Sequence, residues 1–211
     1  MANSTIRKLI TNFVDNSNPR IVDFKKNEMI LRQNEDNRDI GFVLDGIVYL
    51  CAENQDYERN ILCILRQGDC FSRFMLLPTD HAPSYLIAKC QTRIAFFQRE
   101  ELEQWQDKHS SKTENFISSV NEQLQRDILT QTYILHQKTL RKKLICYFKN
   151  ESDYQNSRNL TLPVPYSDLA DYLAVDRSAM MKEIAKMKRD NLIAGQNRTL
   201  FLLAPLFHEE P

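Results

Sequence analysis

Glycine is scarce in this chain, four residues in 211. A phosphate-cradling loop concentrates glycines in one turn, and no such loop is present. The four histidines, at 81, 109, 136 and 208, form no H-x-x-x-H pair, and no nucleophile elbow precedes a helix. The motif inventory therefore points away from an enzyme. No apolar run approaches the ~18 residues that suggest a membrane span, so no membrane association is expected. The opening MANSTIRKLITNFVDN has neither an apolar signal core nor a small-residue cleavage site, and residence in the cytoplasm is expected. The five cysteines, at 51, 63, 70, 90 and 146, are odd in number and scattered, unlike a secreted disulfide framework.

Net charge is also absent, 28 Lys+Arg standing against 28 Asp+Glu. The balance is nevertheless uneven along the chain. Residues 1–136 hold 16 basic against 19 acidic side chains, and residues 137–211 hold 12 against 9. An anionic partner suits the second part only, as a weak preference.

What is present falls into three regions. Ile6, Leu9, Ile10 and Phe13 follow Ser4 at helical spacing and predict a short amphipathic helix ended by Pro19. From Ile21 to about Gln98 the chain turns to short runs rich in β-branched and aromatic residues. IVDF, MILRQ, GFVLDGIVYLCA, RNILCILR, SYLIAKC and RIAFFQ are separated by polar clusters such as KKNE, NEDNRD, ENQDYE and QGDC. Short, regularly punctuated strands predict an antiparallel sandwich or barrel, with Gly46 and Gly68 in tight turns. Cys51 and Cys63 flank one hairpin turn and are expected to face each other, as a redox or metal pair or as small core residues.

A long helix is expected over 113–137. Phe116, Val120, Leu124, Ile128, Gln131 and Leu135 form a narrow seam that calls for a partner helix or for a face across the β-domain. A second helix is expected from Thr139 to about Asn150, then a polar loop ESDYQNSRN and the strand-like LTLPVP.

The stretch from Tyr166 to Leu203 carries the chemistry. It reads as a short helix begun at Pro165 or Ser167, a break, a helix capped by Asp176, and a hairpin turning at Gly195–Arg198. Met180, Ile184 and Met187 form the buried face of the second helix. Ser178, Lys182 and Arg189 lie opposite, flanked by Met181 and Ala185. That order is the outline of a winged helix-turn-helix, in which Arg177, Ser178, Met181 and Lys182 would meet base edges. Ser167, Lys186, Gln196 and Arg198 are the candidate phosphate contacts, with Lys188 and Arg189 facing phosphate or water. The bland alternative is an amphipathic helix with a solvated basic face.

DLADYLAVDRSAMMKEIAKMKRDNLIAGQNRTLFLL resembles the C-terminal domain of the cyclic-AMP receptor protein/FNR family of bacterial transcription regulators. FVLDGIVYL and QGDCF resemble that family's β-roll, and 113–137 its dimerisation helix. The resemblance implies an α+β chain: a cyclic-nucleotide-binding-like β-roll (jelly roll) over 1–112, a long dimerisation helix over 113–137, and a winged helix-turn-helix over 138–211. It further implies a homodimer that binds double-stranded DNA, with RNA polymerase as a further partner.

The chain departs from the family at its ligand cassette. Ser72, Arg73 and Pro83 stand where cyclic-AMP binders carry Gly, Glu and Arg, and only Ser84 fits. A buried phosphate needs a charge-assisted partner that Pro cannot supply, so cyclic AMP is not the expected effector and no cofactor is predicted. The clustered N-terminal cysteines of the iron–sulfur branch are missing, and His81 is the one nearby residue able to serve as a haem ligand. At the reading helix Arg177 is retained, while Ser178, Met181 and Lys182 differ from the family's usual residues. A second expectation is a small-molecule-binding or thiol redox-sensing β-roll whose C-terminal domain docks on a protein.

Overall fold

The structure is a computed structural model and describes residues 19–33, 39–53, 59–72, 83–98, 125 and 128–203. The helix expected over residues 6–13 lies outside these, as do Phe116, Val120, Leu124, Arg73 and His81. The chain divides between Ile128 and Leu129 into two compact units.

Among the described residues the first unit contains eight strands: β1 (Arg20–Phe24), β2 (Met29–Arg32), β3 (Ile40–Asp45), β4 (Ile47–Glu53), β5 (Arg59–Arg66), β6 (Cys70–Ser72), β7 (Ser84–Ala88) and β8 (Thr92–Phe97). They form two four-stranded antiparallel sheets in the orders β1-β8-β3-β6 and β2-β7-β4-β5. All eight strands contribute to one apolar core, including Phe24, Leu31, Val43, Leu50, Leu65, Phe71, Leu86 and Ile94. In β4 and β8 the core residues fall at alternate positions, Val48 with Leu50 and Ile94 with Phe96, as a sandwich requires.

Consecutive strands β3 and β4 lie in different sheets, and the chain changes sheet at Gly46, where φ is +92. A Cβ there would lie 2.6 Å from Gln91 O and 2.8 Å from Thr92 Cα, so the corner admits only glycine. QGDC, expected to be a turn alone, also starts β6. Gln67 and Gly68 make the turn, and Cys70 already pairs with Phe42. The Asp69 carboxylate accepts from Arg66 N at 2.7 Å, which satisfies a backbone donor within the turn.

Cys51 and Cys63 do not face each other. A bulge between Leu50 and Cys51 sets Cys63 opposite Leu50 and Cys51 opposite Ile61. All five cysteines are thiols. The extra residue of a bulge shifts register by one and breaks the near-symmetry visible in the sequence.

The second unit contains helical residues 129–135, α1 (Leu140–Gln155), β9 (Asn159–Thr161), α2 (Tyr166–Leu173), α3 (Arg177–Arg189), β10 (Ile193–Gln196) and β11 (Thr199–Leu202). Its sheet order is β10-β11-β9. Leu144, Phe148, Leu160, Leu169, Leu173, Met180, Met187 and Leu200 fill its core. Tyr147 meets Phe148 and Tyr172 edge-on, each at 5.9 Å between ring centroids.

Helix α1 runs to Gln155 rather than ending near Asn150. Thr139 caps its start, accepting from Lys142 N, and Asn156 ends it in the left-handed conformation. The polar ESDYQ is helical because its last side chain bonds like a strand. Gln155 donates from Nε2 to Thr161 O at 3.0 Å and accepts at Oε1 from Thr161 N at 3.0 Å. Composition alone hides such a tertiary bond. Among the described residues no helix is long and apolar enough to cross a membrane.

Candidate nucleic-acid interface

Helix α2 begins after Pro165, which lacks an N–H and is already extended at φ −60, ψ 158. Ser167 is the second helical residue, and its hydroxyl donates to Asp168 Oδ1 at 3.1 Å. The helix ends at Ala174, whose φ of 51 is left-handed. Ala174 N donates to Asp171 O at 3.2 Å and Val175 N to Ala170 O at 3.1 Å, so the last carbonyls are satisfied as the chain reverses. Asp176 then caps α3, its Oδ1 accepting from Ala179 N at 2.7 Å.

On α3, Met180, Ile184 and Met187 are buried, as their spacing predicts. Arg177, Ser178, Met181, Lys182, Ala185, Lys186 and Arg189 are exposed, with Met181 at 39%. A left-handed Asn191 ends α3, with Leu192 N donating to Met187 O at 3.0 Å. Residues Asn197 and Arg198 turn the hairpin, and Gln196 is still paired with Thr199. The turn is thus two residues tighter than the Gly195–Arg198 expectation. Asn197 adopts φ 51, which its short polar side chain tolerates.

Between these elements lies an open groove of about 470 Å³. Pro165, Tyr166 and Ser167 form one wall, Arg177, Met181, Ile184 and Lys188 the floor, and Asn197 and Arg198 the far side. Four residues singled out from the sequence therefore meet at one concavity: Ser167, Arg177, Met181 and Arg198. Ser178, Lys182, Lys186 and Gln196 are exposed but do not line it. Arg177 stands at the N-terminal end of α3, where helix dipole and guanidinium both favour an anion.

Lys188 has a structural bond that its sequence position does not reveal. Its ammonium donates to Gly195 O at 2.7 Å and ties α3 to the hairpin, while the side chain lines the groove. Charge counting treats every lysine on a basic helix alike, and only the hairpin's proximity separates this one. Tyr166 and Asn197 line the groove without a sequence signal that marks them. Burial raises the Tyr166 phenol above its ordinary pKa.

In the first unit, Ser72 ends β6 and Ser84 begins β7. The Pro83 carbonyl accepts from Glu53 N at 3.2 Å, and the buried Ser84 hydroxyl has no hydrogen-bond partner among the described residues. No cluster of three or more His, Cys, Asp or Glu among the described residues is arranged for a metal ion.

Among the described residues, the first unit is an eight-stranded β-roll and the second a winged helix-turn-helix. Residues 21–109 match the family described as cyclic nucleotide-binding domain. No curated protein matches the chain. Among solved structures, FixK2 from Bradyrhizobium japonicum superposes with a TM-score of 0.73 at 17% identity, covering 89% of this chain and 94% of its own. The c-di-GMP responsive global regulator CLP of Xanthomonas campestris gives 0.67 at 17%, covering 93% and 99%. A CRP-family transcriptional regulator from Thermus thermophilus gives 0.61 at 19%, covering 87% and 92%. The chain has the fold of the Crp/Fnr transcription regulators, and its residues 21–109 match the cyclic nucleotide-binding domain family.

Proposed function

We propose that this protein is a dimeric transcription regulator that reads a two-fold symmetric DNA operator with α3 and answers to a signal other than cyclic AMP. The observation that carries the reading is the groove joining Ser167, Arg177, Met181 and Arg198 beside an exposed basic helix face. Arg177, Ser178, Met181 and Lys182 read base edges. A guanidinium or ammonium suits guanine O6 and N7, and the Met181 thioether suits a thymine methyl. Ser167, Lys186, Gln196 and Arg198 meet phosphates and set register.

Residues 113–137 form the dimer helix of this reading, between a sensor domain over 1–112 and a reader over 138–211. Ile128 supports it, being 62% exposed on the expected seam. Leu129 and Tyr133, 66% and 64% exposed, widen the apolar stripe. Gln131 and Leu135 are half-buried. A second copy of the helix is the occupant proposed for that stripe. Pro83 in place of a phosphate-binding arginine supports an effector without a phosphate at that point.

Selection from a random duplex pool, followed by a salt titration, tests the reading. The enriched sequence is expected to be palindromic, with half-site centres roughly 34–36 Å apart. Log affinity is expected to fall with log salt by ~0.9 per phosphate contacted. Lys182→Ala is expected to weaken discrimination at one base position per half-site by about 1–3 kcal/mol. Absent or salt-independent duplex binding would overturn the proposal, and an equal loss on all sequences would make Lys182 a phosphate contact. Leu129→Asp is expected to yield monomers by sedimentation.

A further inference from the structure

Helix α3 is held in the core by Met180, Ile184 and Met187. Two of these three are unbranched thioethers with three rotatable bonds each, which adapt to many packings and define a helix's rotation poorly. A reading helix has to present its side chains in one register, so something else must set its roll and tilt.

Arg141, in the first turn of α1, contacts α3 twice. Its Nε donates to Glu183 Oε1 at 2.5 Å and its Nη1 to Asp190 Oδ2 at 2.7 Å. Seven residues separate the two acceptors, about 10.5 Å along a helix at 1.5 Å per residue. One planar fork therefore engages the middle of α3 and its C-cap together. Two residues further along α1, Lys143 Nζ donates to Leu173 O at 3.1 Å and holds the end of α2. The start of α1 thus grips both helices of the reader. The arrangement is not optimised for stability, because Nη2 of Arg141 is buried with no hydrogen-bond partner among the described residues. A desolvated donor left unmade is a cost. Its retention is explained if the fork serves geometry.

We infer that Arg141 is a positioning residue for DNA reading, fixing the roll and tilt of α3 through Glu183 and Asp190 so that Arg177, Met181 and Lys182 share one register. The inference rests on the reading of α3 as the DNA reader. It predicts that lysine fails at this position. An ammonium keeps the charge but is a point donor that cannot hold two carboxylates in a fixed fork.

The test uses the full chain and the duplex selected by the wild-type protein. Affinities for that duplex and for a scrambled one are measured at one salt concentration, with melting temperature alongside. Arg141→Lys is expected to melt near wild type and to bind scrambled duplex with affinity unchanged. It is expected to lose preference for the selected duplex by roughly 5- to 150-fold, the discrimination of one base contact. Asp190→Asn, which leaves the arginine and its charge in place, is expected to shift preference in the same direction. Wild-type preference in both variants overturns the inference, as does an equal loss on the two duplexes. A wild-type chain without sequence preference instead overturns the DNA-reader assignment, and it is read before any variant.

Discussion

Gly195 sits in β10 opposite Leu200 with φ +113, a conformation closed to residues bearing a Cβ. Replacing it with alanine would drive the new carbon into the Thr199 carbonyl oxygen and to 3.1 Å from Leu200 Cα. Both obstacles are backbone on the partner strand, so no side chain can swing aside. The backbone conformation alone costs of order 1–3 kcal/mol. Opening the pair to relieve the clash adds about 1 kcal/mol for each ladder bond lost. Reduced freedom of the unfolded chain returns ~0.4–1 kcal/mol. Gly195→Ala is therefore expected to destabilise the second unit by roughly 2–4 kcal/mol. A domain of 60–100 residues shifts by about 4–8 °C per kcal/mol, giving a fall of roughly 8–32 °C. Scanning calorimetry of the full chain, with amide exchange at Leu200, reads the effect. Gly46→Ala is the paired control, since its clash involves Gln91 and Thr92 and should lower the first unit's transition instead. A second-unit transition within about 2 °C of wild type, with Leu200 still protected, would refute the reasoning.

Three further outcomes are expected. Ala174→Gly should stabilise the second unit by about 0.5–1 kcal/mol in denaturant titration, because the left-handed strain of Ala174 exceeds the added unfolded-state entropy. Asp176→Ala should cost about 1 kcal/mol, the cap to Ala179 N being lost, whereas Asp176→Asn should cost less. Tyr166 has a phenol pKa raised by burial, so the unfolded chain releases its proton first as pH rises. Its contribution is complete below the ordinary value of about 10 and is lost as pH climbs from there through the raised folded value. Tyr166→Phe should therefore flatten the alkaline decline in melting temperature, and an unchanged decline counts against burial of the phenol.

Periodicity made much of this protein legible. Met180, Ile184 and Met187 are buried as their i, i+4, i+7 spacing requires, and Asp176 caps α3 as its place before the stripe suggests. The strand runs appear as strands because β-branched runs between turn clusters have few other uses. Such signals are local, which is why they survive in a single sequence.

The remainder depended on residues distant along the chain. Gln155 extends α1 through a bond to Thr161, and a bulge separates Cys51 from Cys63. Lys188 is held by Gly195, and Arg141 by Glu183 and Asp190, 42 and 49 positions away. By itself the sequence determined most of the helices and strands, which faces are apolar, and which helix is exposed and basic. Only the tertiary structure decided which cations remain available to a partner and which hold the reader in shape. Lysine and arginine look alike in a charge count, and their roles diverge only when folding brings an acceptor within 3 Å of some of them.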